Sequence, residues 1–197
     1  VRLGLPKEEG GVHRALYGAI CKPDGGILDD VIAYAYSPQD VLFCVNASNV
    51  SKIDKWFRAE CGEEVSVVNE SMDVAQIAVQ GPNALELVRR VLKGLPDKTP
   101  PMRFMKADFE GTEVTFATTG YTGERGGEIF VPNSAALALW VALMEKGQDL
   151  GVAPIGLGAR DTLRLQKGFC LYGNDINEQT TPIEAGLSWT VRFDKGD

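Results

Sequence analysis

Histidine is almost missing from this chain: His13 is the only one in 197 residues. That removes most Ser-His hydrolase schemes and most zinc sites built on imidazole ligands. Cysteine is sparse and scattered. Cys21, Cys44, Cys61 and Cys170 form no C-x-x-C pair, and three of them sit among apolar neighbours. They read as reduced core residues of an intracellular protein, not as a disulfide framework or a metal site. No uninterrupted apolar run approaches the ~18 residues that a membrane span needs, and Val1 to Pro6 do not form a signal peptide. Basic charge is in the minority, 20 Lys+Arg against 27 Asp+Glu for a net charge of −7, which argues against a nucleic-acid surface. With 44% hydrophobic residues the chain can bury one good core or two small ones.

Glycine, by contrast, is plentiful and clustered. In Gly120-Tyr121-Thr122-Gly123-Glu124-Arg125-Gly126-Gly127-Glu128-Ile129, four glycines fall within eight positions. Such a loop lets backbone approach a neighbour closely before the chain enters the strand that ends near Val131. Taken alone it is an ordinary structural turn. Glu128 just past the glycines and Tyr121 at their head give it a chemical reading as well. A confined carboxylate accepts two parallel N–H bonds from an amidine-like edge, and a tyrosine ring offers a face to a flat heterocycle. The loop reads as half of a pocket for a nitrogen-rich ring.

Earlier in the chain, His13 to Cys21 and Ile27 to Tyr36 flank the turn Pro23-Asp24-Gly25-Gly26, the pattern of a hairpin. On a two-residue period Asp30 shares a face with Leu28, Ile32 and Tyr34, and Asp29 shares the other with Ile27, Val31 and Ala33. Both faces are apolar, so at least one of these adjacent carboxylates sits where charge is expensive and needs partners or a task. Val41 to Val45 reads as a strand ending at Asn46, followed by a helix capped by Asn49 or Ser51 with Val50, Ile53 and Phe57 on its apolar side. Strands are expected at Val65 to Val68, Val74 to Val79 and Glu113 to Thr119. A second helix carries Leu85, Leu87, Val88, Val91 and Leu92, and a third carries the apolar stripe Leu137, Trp140, Val141 and Met144. The stretch from Gly151 to Gly168 has the proline-first, glycine-last pattern of a fourth helix. Gly156 and Gly158 inside it suggest close packing or ligand approach. Interleaved strands and helices with frequent hairpins and no strict βαβ rhythm predict an α+β fold with antiparallel sheets and packed helices.

Four stretches together carry a family signature: Gly25-Gly26-Ile27-Leu28-Asp29-Asp30, Gly120-Tyr121-Thr122-Gly123-Glu124, Gly156 through Leu165, and Leu171-Tyr172-Gly173-Asn174-Asp175-Ile176 running on to Thr181 through Trp189. In order and content the chain from about His13 to Arg192 resembles the glycine cleavage system T-protein, the tetrahydrofolate-dependent aminomethyltransferase. The resemblance implies transfer of the aminomethyl carbon from the lipoyl arm of H-protein to tetrahydrofolate, with ammonia released and the arm left as the dithiol. It implies lipoylated H-protein as partner, tetrahydrofolate as cofactor, no nucleic acid and no membrane, in cytoplasm or mitochondrial matrix. It also implies Asp30 as the catalytic carboxylate, orienting the folate and stabilising positive charge as it develops. Glu128 matches the residue that grips the pterin edge, Arg160 belongs to the binding set, and Tyr17, Asn46 and Tyr121 match positions lining the folate pocket. Each has an ordinary alternative: Asp30 as a satisfied core aspartate, Tyr17 and Tyr121 as core aromatics, Asn46 as a strand-end cap, Arg160 as a surface ion pair.

The expected organisation is a flexible or truncated segment over 1–12 and one folate-binding body over 13–197, with two intertwined subdomains as an option. Full members of the family also carry an upstream Asp-x-Ser-His-Met-Gly type segment and a downstream β-rich domain, absent from these residues. Two other readings compete. One is a folate-binding module of the tRNA-modification and iron-sulfur helper branch, whose Lys-Gly-Cys-Tyr pattern is met here by Lys167-Gly168-Phe169-Cys170, with no cysteine directly after the glycine. The other is the folate domain of a dimethylglycine or sarcosine dehydrogenase, and no flavin-type Gly-x-Gly-x-x-Gly follows a strand here.

Overall fold

The computed structural model describes residues 11–195, so most of the expected 1–12 segment lies outside the described residues. In chain order the elements are β1 (Val12–Cys21), β2 (Ile27–Ser37), β3 (Asp40–Cys44), α1 (Val50–Glu60), β4 (Val74–Gln80), α2 (Ala84–Val91), β5 (Arg103–Phe109), β6 (Thr112–Ala117), β7 (Gly126–Pro132), α3 (Asn133–Lys146) and α4 (Leu157–Lys167). The pairings are antiparallel, giving the expected α+β class. Two compact units emerge, interleaved along the sequence. One holds the described residues up to Ala15 together with Glu70–Phe169, and the other holds Leu16–Asn69 and the residues from Cys170 onward.

In the larger unit the strand order is β1-β5-β6-β7-β4. The β5–β6 hairpin turns on Glu110 and Gly111, both at positive φ (51° and 87°), with Phe109 paired to Thr112; positive φ at both central positions is the signature of a type I′ turn. Its core is built from Leu87 and Val88 of α2, Met105, Phe116, Ile129 and Val131 of the sheet, and Leu139 and Leu143 of α3. Each such fully buried side chain stabilises by roughly 1.5–3 kcal/mol relative to exposure. Ile129 and Val131 point into that core, so the two-residue period turns Glu128 to the opposite face of β7. Glu128 pairs laterally with Ala78 and Ala117, small neighbours that leave room for a carboxyl group.

In the smaller unit the order is β3-β2-β1, with Ile32 opposite Cys44 and Tyr34 opposite Leu42. The β1–β2 turn closes through Lys22 N–H to the Gly26 carbonyl (2.8 Å) and Gly25 N–H to the Lys22 carbonyl (2.9 Å). A Cβ on Gly26 would run into the Glu178 carbonyl oxygen, so glycine is required there on packing grounds. Beside it the Ile27 N–H donates to the Thr180 carbonyl (3.0 Å), and the Tyr172 hydroxyl donates to the Ile27 carbonyl (3.1 Å). Lys52 Nζ donates to that hydroxyl (2.8 Å) and lies 4.4 Å from the Tyr172 ring centre.

Some expectations fail on local detail. Val65 to Val68 forms no strand, and Val68 is 70% exposed; Val65, Val67 and Val68 meet no pairing strand among the described residues to hold them extended in a ladder. On α3 the core takes Leu139 and Leu143, while Leu137, Trp140 and Val141 face outward. The helix is apolar nearly all round, so periodicity could not choose the buried side. All four cysteines are only half-buried. A Cβ at Gly156 or Gly158 would meet nothing within 4 Å, so packing against described residues does not explain either glycine. Asn49 does stand at the N-cap of α1, but its side chain makes no capping bond.

Candidate functional site

The six residues singled out from the sequence fall into two groups of three, one in each unit. In the smaller unit Asp30, Tyr17 and Asn46 are brought together. Asp30 lies on β2 and is half-buried. Tyr17 of β1 donates its hydroxyl to Asp30 Oδ2 (3.0 Å). Asn46, just past β3, donates from Nδ2 to Asp30 Oδ1 (2.9 Å), so each carboxyl oxygen has one donor. Burial pushes the Asp30 carboxyl above the ordinary aspartate range; the bonds from Tyr17 and Asn46 pull it back in part, and the Asp29 charge adds to the rise. The group so held is a carboxyl whose proton is retained to higher pH than in water, fixed in direction at both oxygens. It can orient a polar ligand or exchange a proton with it.

Trp189 stacks on Tyr17, with ring centres 5.7 Å apart, and remains 67% exposed. It adds an aromatic surface beside the Asp30 group. The sequence quoted Trp189 inside a recognisable stretch but gave no sign of this contact.

In the larger unit Glu128, Tyr121 and Arg160 come together. Glu128 is buried to 6% exposure and accepts a short hydrogen bond from the Thr119 hydroxyl at Oε2; among the described residues nothing donates to Oε1. Burial raises its proton affinity above the ordinary glutamate range, offset by the Thr119 bond and by the Arg160 charge. The Arg160 guanidinium lies 4.7 Å from the centre of the Tyr121 ring. Phe169 stacks against the same tyrosine, centres 6.0 Å apart. Arg160 and Phe169 both lie against Tyr121, an aromatic and cationic cluster suited to flat rings and anionic groups. Arg160 is no plain helix-surface ion pair, and Tyr121 is only half-buried.

Gln80, at the end of β4, ties the glycine-rich loop together. Its Nε2 donates to the Thr119 carbonyl (3.2 Å) and the Gly127 carbonyl (3.0 Å), and its Oε1 accepts from the Thr122 hydroxyl (2.8 Å). The loop glycines answer to this packing. A Cβ on Gly120 would strike the Gln80 side chain, and one on Gly126 the Val79 carbonyl oxygen, with φ at Gly126 of 147°. Gln80 and Thr119 escaped the sequence reading because the contacts that give them meaning span 39 residues or more from Gln80 and nine from Thr119.

Comparison with known proteins identifies the family. The sequence model of the GCVT N-terminal domain matches residues 7–195. An aminomethyltransferase of Halothermothrix orenii is 48% identical over 182 residues, 92% of this chain and 51% of the relative. That of Prosthecochloris aestuarii is 49% identical over 187 residues, 93% of this chain and 52% of the relative. Among solved structures, the glycine cleavage system aminomethyltransferase T from Bartonella henselae aligns with a TM-score of 0.80 at 32% identity, covering 92% of this chain and 48% of that one. The chain is a GCVT N-terminal domain protein, and it belongs to the glycine cleavage system T-protein family. It spans about half the length of the curated relatives it matches.

Among the described residues no helix is long and apolar enough to cross a membrane, and no cluster of His, Cys, Asp and Glu could hold a metal ion.

Proposed function

We propose that the chain is the folate-binding part of a tetrahydrofolate-dependent aminomethyltransferase of the glycine cleavage system. It would accept the aminomethyl carbon from lipoylated H-protein and pass it to tetrahydrofolate, leaving ammonia and the lipoyl dithiol. The observation that carries this reading is Asp30, a carboxyl raised by burial and fixed at both oxygens by Tyr17 and Asn46.

Each residue has a proposed task. Glu128 grips the pterin edge: Thr119 engages Oε2, and Oε1 is the acceptor for an N–H donor of the ring. Tyr121, backed by Phe169 and Arg160, supplies the flat face. Asp30 faces the reacting nitrogens, where a carboxylate stabilises positive charge as it develops and a carboxylic acid returns a proton. Tyr17 and Asn46 hold it in line. Tetrahydrofolate, when bound, supplies the nucleophilic nitrogens that receive the one-carbon unit. A compartment in cytoplasm or mitochondrial matrix belongs to the same proposal.

Calorimetric titration with tetrahydrofolate under anaerobic conditions tests it, with Glu128→Ala as the control. Binding that the control loses supports the folate assignment. A folded full-length protein that takes up no tetrahydrofolate would end it.

A further inference from the structure

The tasks assigned so far leave out Asp29, the carboxylate beside Asp30 in the chain. Asp29 is wholly buried on the other face of β2, yet three donors converge on it. The Asn46 backbone N–H donates to Oδ2 (3.0 Å), Asn46 Nδ2 to Oδ1 (2.8 Å) and Asn49 Nδ2 to the same Oδ1 (2.5 Å). The Asn46 Nδ2 group that reaches Asp29 also reaches Asp30, at Oδ1 (2.9 Å) and at its carbonyl (3.2 Å). Every partner of that amide nitrogen is an acceptor, so its orientation is fixed by chemistry.

Asn49 points the same way. It occupies the N-cap of α1, where a side-chain amide ordinarily accepts a backbone N–H, but it makes no such bond and gives its amide to Asp29. The Asn49 amide thus meets the same buried carboxylate oxygen that receives the Asn46 amide. An apolar residue in the interior of β2 would avoid the desolvation of a charge.

We propose that Asp29, backed by Asn49, is the positioning residue for Asp30: it clamps Asn46 so that one side-chain amide spans both carboxylates and fixes Asp30 Oδ1. The inference rests on the reading of Asp30 as the catalytic carboxylate. Among the described residues the titratable groups facing Asp30 are Tyr17 from β1 and Asp29 from its own strand. Asp29 therefore acts on Asp30 in two ways, mechanically through Asn46 and electrostatically as a like charge.

The test uses the full-length protein in native, Asp29→Asn and Asn49→Ala forms. The Asp30 carboxyl carbon and the Asn46 side-chain amide are followed by NMR against pH, and single-turnover transfer to tetrahydrofolate is timed alongside. In Asp29→Asn the Asn46 amide should exchange faster. Loss of the like charge lowers the Asp30 midpoint but loss of the Asn46 bond, the larger influence, raises it, so the midpoint should not fall. Turnover should fall about tenfold or more while tetrahydrofolate affinity stays within about threefold. Asn49→Ala keeps the charge and loosens the clamp, so Asn46 amide exchange should quicken, the Asp30 midpoint should rise as the Asn46 bond weakens, and turnover should drop several-fold. Unchanged Asn46 amide exchange in Asp29→Asn overturns the proposal. Should that variant fail to fold, unchanged Asn46 exchange in Asn49→Ala overturns it. If the native protein transfers no aminomethyl group while midpoint and amide respond as stated, the positioning stands and the transferase reading falls.

Discussion

Asp30 and Glu128 are both carboxyls whose proton affinity burial has raised, but the two units hold them in different ways. Around Asp30 the restraints are neutral donors, one to each oxygen, and no cation is among them. Around Glu128 one oxygen meets a hydroxyl, and a guanidinium stacked on a tyrosine supplies charge. The first arrangement fixes the direction of a carboxyl whose proton affinity burial has raised. The second leaves an acceptor oxygen beside an aromatic and cationic surface, which is what a ligand's edge and face require. Under the proposed function, one group acts and the other holds.

Neutralising each carboxyl separates these roles most sharply. Asp30→Asn should cut transfer by about 10²–10⁴-fold, the range for loss of a positioned acid or base, with tetrahydrofolate affinity nearly unchanged in calorimetry. Glu128→Gln should do the reverse, weakening tetrahydrofolate by about tenfold to a hundredfold, as expected for a charge-assisted bond of ~1.5–3 kcal/mol, with turnover at saturation largely retained. Equal losses of affinity in both variants would erase the distinction between the two groups.

Stability against pH gives a second handle on the same pair. For both carboxyls the folded state binds its proton more readily than the unfolded chain does. Their contribution to stability is therefore full below the ordinary carboxylate range and is lost as pH rises through the raised folded values. At neutral pH each ionised carboxyl is a burden on the fold. Glu128→Gln should accordingly raise the thermal midpoint at neutral pH relative to the native chain and lose that advantage below the ordinary carboxylate range. A midpoint difference that does not change with pH would mean that the charge on Glu128 is not what the fold works against. Backbone effects in the same region are independent of pH. Gly126→Ala puts a Cβ against the Val79 carbonyl at φ of 147° and should cost about 2–4 kcal/mol in denaturant unfolding at any pH.

How far the sequence disclosed this depends on the range of the contacts. The β1–β2 hairpin was legible from Pro23-Asp24-Gly25-Gly26, because a turn and its flanking strands are local. The apolar surroundings of Asp29 and Asp30 followed from a two-residue period, and the structure buries Asp29 completely. The membership of the two groups came from family resemblance, since nothing local links Tyr17 to Asp30 or Arg160 to Tyr121. The exposed side of α3 and the missing strand near Val65 were not legible. Choosing the buried face of a helix apolar all round needs the partner surface, and three valines do not make a strand without a ladder. Asn49 was read as a cap because residue type allows it; that its amide turns to Asp29 depends on a contact 20 residues away.

The smallest expected effect is the most diagnostic of how Asp30 is held. Tyr17→Phe removes one hydroxyl and nothing else, leaving the ring that stacks on Trp189. That hydroxyl donates to Asp30 Oδ2 and so favours the ionised form. Without it the Asp30 proton affinity should climb further, and the acid limb of the turnover profile should move to higher pH. The rate above that limb should fall only a few-fold, because Asn46 still fixes Oδ1. A limb that moves to lower pH would mean that Tyr17 stabilises the protonated acid, accepting its hydrogen. In that case the phenol would be the acceptor in the pair, and Asp30 would meet its ligand as an acid, with the direction of its first proton transfer reversed.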